Sequence, residues 1–259
     1  MAALESGIIT PTTTIRDQGV YTYYAYPQPK CWIYRQYGST HGSINVSQAI
    51  TESCNYFFYE TGRLTGIETG DSKGALASPE YAKANELEWT DGQTITAAIG
   101  QSYNLFTPIQ LANYVATLVG DGEHYKAHLL KNVKSYDNSS MIYAYDEGPE
   151  NTVSISDSTL QAVKKGMYGV ANSTLSSQFS RCIVTCGAKT GSAQVGTDIA
   201  NGMFVCFAPY DDPQIAVAVV IEKGGSGAAL AGVAVDIVNA YFSREEIGTA
   251  IIGENTLIS

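Results

Sequence analysis

Residues 183–222 read IVTCGAKTGSAQVGTDIANGMFVCFAPYDDPQIAVAVVIE, and this stretch decides the fold. It contains three runs with the composition of β-strands, which are Ile183–Val195, Gly202–Tyr210 and Gln214–Glu222. The sequence from Asp211 to Pro213 predicts a turn between the second and third runs. The segment from Ile215 to Ile221 is apolar on both faces, which predicts a strand covered on both sides.

Helical patterns lie on both sides of these strands in the chain. Apolar residues recur at close to 3.6-residue spacing over three further segments. This spacing predicts helices at 46–64, 157–171 and 227–242, with the first of them interrupted.

A fourth helix is predicted to begin near Thr107. Thr107 can cap it, Pro108 suits its first turn and Gln110 completes a capping box. Residues 8–45 are predicted to be an extended, loop-heavy segment, and residues 129–145 to form a β-hairpin. Helices, three consecutive strands and a last helix together predict an α+β fold with an antiparallel sheet and flanking helices.

Charge and composition exclude several classes of protein. The chain has 15 Lys and Arg against 25 Asp and Glu, a formal net charge of −10, which argues against nucleic-acid binding and against electrostatic membrane binding. Hydrophobic residues make up 44% of the chain, which excludes a disordered protein. The sequence contains no apolar run long enough to predict a transmembrane helix.

The cysteines and histidines do not form a recognisable zinc motif. Cys182 and Cys186 come nearest to ligand spacing, and His124 and His128 are four residues apart but lie in a loop-like segment, where solvated side chains are expected. We therefore predict no metal site and no cofactor, although composition leaves a Ser-His-Asp triad open. Buried or free thiols are expected at all five cysteines, which are Cys31, Cys54, Cys182, Cys186 and Cys206.

The first candidate site is Ser53-Cys54-Asn55, which interrupts an apolar helical pattern. Serine and asparagine disfavour helix interiors because their side chains compete for backbone hydrogen bonds. The triplet therefore predicts either a functional break in the helix or an ordinary helix end with a polar cap.

The second candidate site is Lys189-Thr190-Gly191-Ser192. The ammonium group and the two hydroxyls suit a carboxylate, and Gly191 allows a ligand backbone to approach closely. A solvated lysine on the edge of a surface strand is the alternative. A phosphate-binding loop is excluded, because the glycine spacing before Lys189 is absent.

Together the two sites resemble two of the three signatures of the serine penicillin-recognising enzymes, the penicillin-binding protein transpeptidases and the β-lactamases. The likeness is greater to the high-molecular-weight, class B-like transpeptidases, and it implies a penicillin-binding protein/β-lactamase-like fold. The flanking segments that carry it are Cys31-Trp32, His41-Gly42, Ser47–Ile50, Ala98–Ala112 and Phe204–Glu222.

The first signature of that family, Ser-x-x-Lys, is absent from this sequence. None of the ten lysines has a serine three residues before it. In the family this signature opens a helix whose end resembles Ala2–Gly7. The resemblance therefore predicts that residues 1–259 are the C-terminal part of a transpeptidase domain, truncated after the signature. The nucleophile helix and the N-terminal strands of the sheet would then be missing, and the chain alone would be inactive.

The resemblance also implies a reaction and its participants. In the family the signature serine attacks a stem peptide ending in D-Ala-D-Ala, forms an acyl-enzyme and cross-links the cell wall, and β-lactams acylate the same serine. Ser53 would relay a proton toward the leaving nitrogen. Asn55 would hydrogen-bond the substrate amide.

The strand motif would bind the substrate's carboxylate. Lys189 would supply a positive field, and the hydroxyls of Thr190 and Ser192 would bind the carboxylate beside Gly191. The backbone N–H of Ser192 would be one of two donors to the developing oxyanion.

Location, partners and alternatives follow from the same resemblance. The parent protein would be anchored in the bacterial membrane with this domain on the extracytoplasmic face. Without additional strands, the apolar strand at 215–221 would offer an exposed edge for self-association. Two other functions remain open, the β-lactam sensor domain of a receptor and a nonenzymatic binding or scaffolding module.

Overall fold

A computed structural model describes residues 2–23, 28–65, 75–137, 139–145, 148–195, 197 and 199–250. In chain order its elements are α1 (Ala2–Glu5), β1 (Thr14–Asp17), α2 (Trp32–Tyr37), β2 (Gly42–Asn45), α3 (Val46–Thr51), α4 (Asn55–Thr65), α5 (Pro79–Ala84), α6 (Asp91–Ala97), α7 (Pro108–Val119), β3 (Glu123–His124), β4 (Asn132–Lys134), β5 (Met141–Ala144), β6 (Asn151–Thr152), α8 (Asp157–Gly169), a π-turn (Val170–Thr174), α9 (Ser176–Phe179), β7 (Gly187–Gln194), β8 (Ala200–Ala208), β9 (Ile215–Ile221), a 3-10 turn (Gly227–Leu230) and α10 (Ala231–Ala250).

The central sheet has three antiparallel strands in the order β7-β8-β9. Lys189 on β7 pairs with Val205 on β8, which pairs in turn with Ala218 on β9. The three predicted strands and the α+β fold are therefore confirmed. No strand of the described ranges pairs with the outer edge of β9.

Strand β7 begins later than predicted, at Gly187 instead of Ile183. The reason is that the preceding backbone bonds outside the sheet. The Thr185 carbonyl accepts a hydrogen bond of 2.9 Å from the Tyr210 N–H, so residues 183–186 bend before the strand can start.

The sheet separates two apolar cores. Phe204, Cys206 and Ala208 alternate along β8 and face the core formed with α9 and α10. Phe207 faces the opposite core, formed by α3, α4, α7 and α8, and is fully buried there. Burial on both faces explains why β8 and β9 lack the polar alternation of a surface strand.

Helices cover β9 on both faces, as its sequence predicts. Helix α7 packs against β9 from one side and α10 from the other. The predicted start of α7 is also confirmed. The Thr107 hydroxyl accepts a bond from the Gln110 N–H (3.3 Å), and the Gln110 side chain accepts one from the Thr107 N–H (2.9 Å).

The helical pattern over 46–64 is interrupted, as predicted, between α3 and α4. Ser53 lies in the gap with φ 52°, a left-handed conformation that ends the helix. Helix α3 is fixed below the gap, since its Ser47 hydroxyl donates to the Ala162 carbonyl of α8 (2.7 Å). The break is therefore held in a defined place.

Other segments correct or extend the predictions. Residues 8–45 hold the antiparallel pair β1–β2 and helix α2, so the prediction of a loop-heavy segment there was wrong in part. The hairpin within 129–145 is confirmed as β4 and β5. The helix predicted at 157–171 is confirmed as α8 and continues into the π-turn, whereas that at 227–242 starts with a 3-10 turn. In the part of the chain described, no helix is long and apolar enough to cross a membrane.

Candidate active site

Lys189 and Ser53 meet in an open cleft. The Lys189 ammonium Nζ donates hydrogen bonds to the Ser53 hydroxyl (2.7 Å) and to the Thr190 carbonyl (2.9 Å). The two predicted motifs, 136 residues apart in sequence, are thus in direct contact. In the described ranges no carboxylate lies within salt-bridge distance of Lys189.

The charge of Lys189 is poised for proton exchange. Burial lowers the pKa of its ammonium to about 8, because removing the group from water disfavours its charged form. Near neutral pH the group is still mostly protonated, and it can give up a proton at modest cost. Its hydrogen bond to Ser53 provides a path for that proton.

Asn55 connects the break to the opposite wall of the cleft. Its side-chain oxygen accepts a hydrogen bond from the Trp32 N–H at the start of α2 (3.1 Å). The Trp32 indole N–H donates in turn to the Glu52 carbonyl (3.1 Å). These two bonds fix α2 against the break, so that Asn55 and Trp32 line the same cleft.

The end of β7 forms the other wall. The Ser192 carbonyl accepts a hydrogen bond from the Gln101 side chain (2.9 Å), and the Ser192 hydroxyl accepts one from the Gly227 N–H (3.3 Å). Thr190 and Gly191 line the cleft beside it. The four residues of the strand motif therefore all line the same cleft.

Gly227 lies directly behind this wall. A Cβ at position 227 would overlap the carbonyl oxygens of Gly191 and Met203. Only glycine allows the turn before α10 to approach the strand so closely. The shape of the cleft wall therefore depends on the missing side chain at Gly227.

The cleft itself has a volume of about 1190 Å³ and contains all six predicted site residues. Lys30 and Arg35 add positive charge on the wall formed by α2, and Glu52 adds one negative charge. An otherwise acidic protein thus presents a mainly cationic cleft, which suits an anionic ligand.

A second cluster, which sequence reasoning missed, lies behind the break. The ligand atoms of four buried or nearly buried side chains lie within 4.8 Å of one another: Asp17, Cys31, His41 and Cys54. The His41 Nδ1 is 2.8 Å from the Asp17 carboxylate and 3.5 Å from the Cys31 sulfur. The sulfurs of Cys31 and Cys54 are 3.9 Å apart.

The geometry of this cluster favours metal binding over a catalytic triad. In a triad the histidine uses one ring nitrogen for the acid and the other for the nucleophile, but here the His41 Nδ1 contacts both Asp17 and Cys31. The second ring nitrogen, Nε2, is buried without a hydrogen-bond partner. Two sulfurs, one imidazole and one carboxylate fit a tetrahedral zinc ion.

Hydrogen bonds in the cluster favour the anionic forms of Asp17 and Cys31, but not that of Cys54. Burial would raise the pKa of Asp17, but bonds from the backbone N–H groups of His41 and Gly19 and from the His41 ring lower it overall. A bond between the two thiols lowers the pKa of Cys31 to about 6. The same bond and burial raise the pKa of Cys54, so a metal ion, whose ligands must be deprotonated, would have to displace the Cys54 proton on binding.

The remaining candidates have no common site. His124 lies beside Asn113 (3.0 Å) and His128 stacks on Tyr145, so the two histidines have separate partners. All five cysteines are free thiols in this structure, four of them buried and Cys182 half-buried. Cys182 and Cys186 are nevertheless neighbours, with their sulfurs 3.4 Å apart.

Part of the buried cluster of Asp17, Cys31, His41 and Cys54 could have been found in the sequence. Cys31, His41 and Cys54 fall within 24 residues of a segment with few charges, and this is a weak ligand signal. Asp17 carried no signal, because β1 brings it to the cluster only through pairing with β2.

Comparisons with known proteins agree with the geometry. The profile of the penicillin binding protein transpeptidase domain matches residues 1–242. The chain is 30% identical over 270 residues to the peptidoglycan D,D-transpeptidase MrdA of Escherichia coli K12, covering 89% of this chain and 42% of that protein. It is 32% identical over 219 residues to penicillin-binding protein 2B of Streptococcus pneumoniae, covering 77% of this chain and 30% of that protein.

Solved structures give the same result. The crystal structure of Pseudomonas aeruginosa PBP2 in complex with WCK 5153 superimposes with a TM-score of 0.78 at 28% identity, covering 93% of this chain and 56% of that one. The chain spans less than half the length of the curated relatives it matches.

Proposed function

The chain belongs to the penicillin-binding protein transpeptidase family, and we propose that it provides the substrate-binding and proton-transfer groups of a peptidoglycan D,D-transpeptidase. The proposed substrate is a cell-wall stem peptide that ends in D-Ala-D-Ala. β-Lactams would occupy the same cleft as analogues of that peptide.

The contact between Lys189 and Ser53 carries this proposal. A lysine with a pKa of about 8 donates 2.7 Å to a serine hydroxyl in a cationic cleft. Such a pair can pass a proton to a leaving nitrogen, as release of the D-Ala amine requires. The same ammonium attracts the substrate's terminal carboxylate.

The other residues divide the binding of the peptide among them. Asn55 offers its side-chain amide to the substrate backbone from the wall opposite β7. Thr190 and Ser192 offer hydroxyls to the carboxylate, and the Ser192 N–H faces the developing oxyanion. Gly191 leaves room for the peptide to lie along the strand.

The nucleophile is the group that residues 1–259 do not supply in the family's pattern. No serine in this sequence stands three residues before a lysine. We therefore expect this polypeptide by itself to form no stable penicilloyl adduct. A stoichiometric adduct in its intact mass would overturn that expectation.

Fluorescent penicillin tests the proposal. The protein, expressed as its gene encodes it, is expected to be labelled covalently, and Lys189→Ala should reduce the labelling rate at least about 100-fold. The matched control is Lys165→Ala on α8, which removes an exposed lysine of the same charge. Equal labelling of the wild type and Lys189→Ala would exclude the proposed role of the lysine.

A D-Ala-D-Ala peptide separates the enzyme from a drug receptor. Release of D-Ala from the peptide by the same protein supports a transpeptidase. Labelling by penicillin without release would indicate a sensor domain, and neither labelling nor release would indicate a scaffolding module.

The proposal also includes where the protein acts and how it could associate with itself. A transpeptidase that cross-links the wall works on the extracytoplasmic face of the cell membrane, where its substrate lies. The outer edge of β9 would add a further strand or a second copy of the chain, because its backbone groups have no strand partner in the described ranges. Sedimentation of residues 1–259 as a monomer at high concentration would contradict self-association.

A further inference from the structure

We propose that Cys182 and Cys186 are a redox pair, which forms a reversible disulfide by exchange with a disulfide-bearing oxidant. The two residues lie between α9 and β7. They have no part in the proposed transpeptidase chemistry, and the inference does not depend on it.

The two sulfurs lie close together. The two sulfurs are 3.4 Å apart, and a disulfide bond is about 2.05 Å long. Residues 182–186 belong to neither a helix nor a strand. The sulfurs can therefore approach through side-chain rotation and a small backbone shift, without disrupting a hydrogen-bonded element.

The two thiols also differ in the way that an exchange reaction requires. Cys182 is half-buried and Cys186 is buried, so an external oxidant meets Cys182 first. The hydrogen bond from Cys186 lowers the pKa of the Cys182 thiol to about 6, with further support from the N–H groups of Val184 and Ile183. A thiolate is the attacking species in exchange.

The surroundings argue against a metal at this pair. In the described ranges, the one group of three or more metal-ligating side chains is that of Asp17, Cys31, His41 and Cys54. Cys182 and Cys186 thus have too few neighbouring ligands for a closed zinc site, which takes four. Two close thiols without further ligands suit oxidation better than coordination.

The reaction balances with one equivalent of oxidant. The Cys182 thiolate attacks one sulfur of the oxidant's disulfide, forms a mixed disulfide and releases one thiolate. Cys186 then loses its proton and attacks the Cys182 sulfur, and the second oxidant thiolate leaves. Two protein thiols are oxidised, and one external disulfide is reduced to two thiols.

The bond would fix the backbone that leads into β7. The Cys186 carbonyl accepts a hydrogen bond from Asn172 (3.4 Å), and Cys186 directly precedes Gly187, the first residue of the strand. Lys189 follows two residues later. Oxidation is therefore expected to raise the unfolding temperature of the chain without blocking the cleft.

The test uses oxidised glutathione on the wild-type chain. Trypsin cleaves after Arg181 and Lys189, so both cysteines fall in the single peptide 182–189. Remaining thiols are alkylated in denaturant before digestion. The expected product is a peptide about 2 Da lighter than its reduced, unalkylated form, through the loss of two hydrogens, and it returns to two alkylated thiols after treatment with dithiothreitol.

Variants make the result specific. Cys182→Ser should leave Cys186 reduced and alkylated, because Cys186 is buried and lacks its partner. Cys206→Ser, the matched control, should leave the disulfide in peptide 182–189 unchanged. The proposal is overturned if peptide 182–189 keeps two alkylated thiols, if glutathione stays attached to Cys182, or if Cys31 and Cys54 oxidise first.

Discussion

Ser53 and Cys54 are neighbours in sequence, yet they belong to opposite environments. The break between α3 and α4 directs Ser53 into the open cleft, where its hydroxyl contacts Lys189. Cys54 lies behind the break, fully buried beside Cys31 and Asp17. Two adjacent side chains are thus placed in an open cleft and in a closed cluster.

Each environment lacks a counter-charge of a different sign: the cleft lacks an anion, and the buried cluster lacks a cation. On the cleft side the Lys189 ammonium has no carboxylate partner in the described ranges, so an anionic ligand would complete it. On the other side Asp17 and two thiols collect in a buried space, so a cation would complete them. Neighbouring residues can thus have separable roles, and we expect Ser53 to act in binding and Cys54 in stability.

The largest effect is expected from Cys54→Ala. We expect wild-type protein to carry about one zinc ion per chain, since the donor set fits that metal. The variant should lose the ion and at least about 3 kcal/mol of unfolding free energy, because Asp17 is then left buried with fewer partners. Elemental analysis and urea denaturation measure both effects.

Cys206→Ala is the control for that experiment. Cys206 is equally buried but lies on β8, away from the cluster. It should keep the ion and lose less stability. Retention of zinc by Cys54→Ala, or an equal loss of stability in both variants, would remove the distinction between the two sides of the break.

Ser53→Ala should reduce reaction with penicillin and leave stability nearly unchanged, which is the converse of Cys54→Ala. In the protein expressed as its gene encodes it, labelling by fluorescent penicillin is expected to fall about 10²–10⁴-fold, the range for loss of a proton-transfer group. The variant's unfolding free energy should stay within about 1 kcal/mol of wild type, because Lys189 keeps its hydrogen bond to the Thr190 carbonyl. A loss of stability as large as that of Cys54→Ala would show that the two roles are not separable.

The pH dependence of the unfolding free energy should report on Lys189, on the cleft side of the break, and not on the buried cluster. In the folded protein burial lowers the pKa of Lys189 to about 8 from its ordinary value of 10.5, so the unfolded chain holds this proton more tightly. Between these two values stability gains a contribution that rises with pH. Urea denaturation at pH 8 and pH 10 should show this gain in the wild type and not in Lys189→Met. An equal slope in both proteins would mean that Lys189 is not desolvated.

The smallest effect is expected at Asn55, which joins the two sides. Asn55→Ala removes the acceptor for the Trp32 N–H at the start of α2. The expected cost is about 1 kcal/mol of unfolding free energy, as for other helix-start acceptors. Zinc content should stay unchanged. Loss of the ion would show that α2 needs this bond to hold Cys31 in the cluster.

The parts of the fold that local rules determine could be predicted from sequence. Thr107 and Gln110 cap their own helix, so positions 107, 108 and 110 were enough to locate its start. Apolar runs on both faces identified β9 before any partner was known. The unfavourable position of Ser53 and Asn55 in a helical pattern located the break.

The buried cluster could not be predicted in this way. Its four side chains come from β1, the start of α2, the residues before β2 and the break, and their spacing matches no short ligand motif. The short ladder of β1 and β2, which brings Asp17 to His41, has weak strand signals because it is only four residues long. Long-range pairing made this site, and periodicity does not report long-range pairing.

Gly227 has a consequence for how this protein can change over generations. Its backbone presses on Gly191 from behind, and a methyl group there would overlap the strand that forms the cleft wall. A single-nucleotide change converts any glycine codon into an alanine codon. Variation at this position would therefore reshape the cleft wall through a residue that does not itself line the cleft.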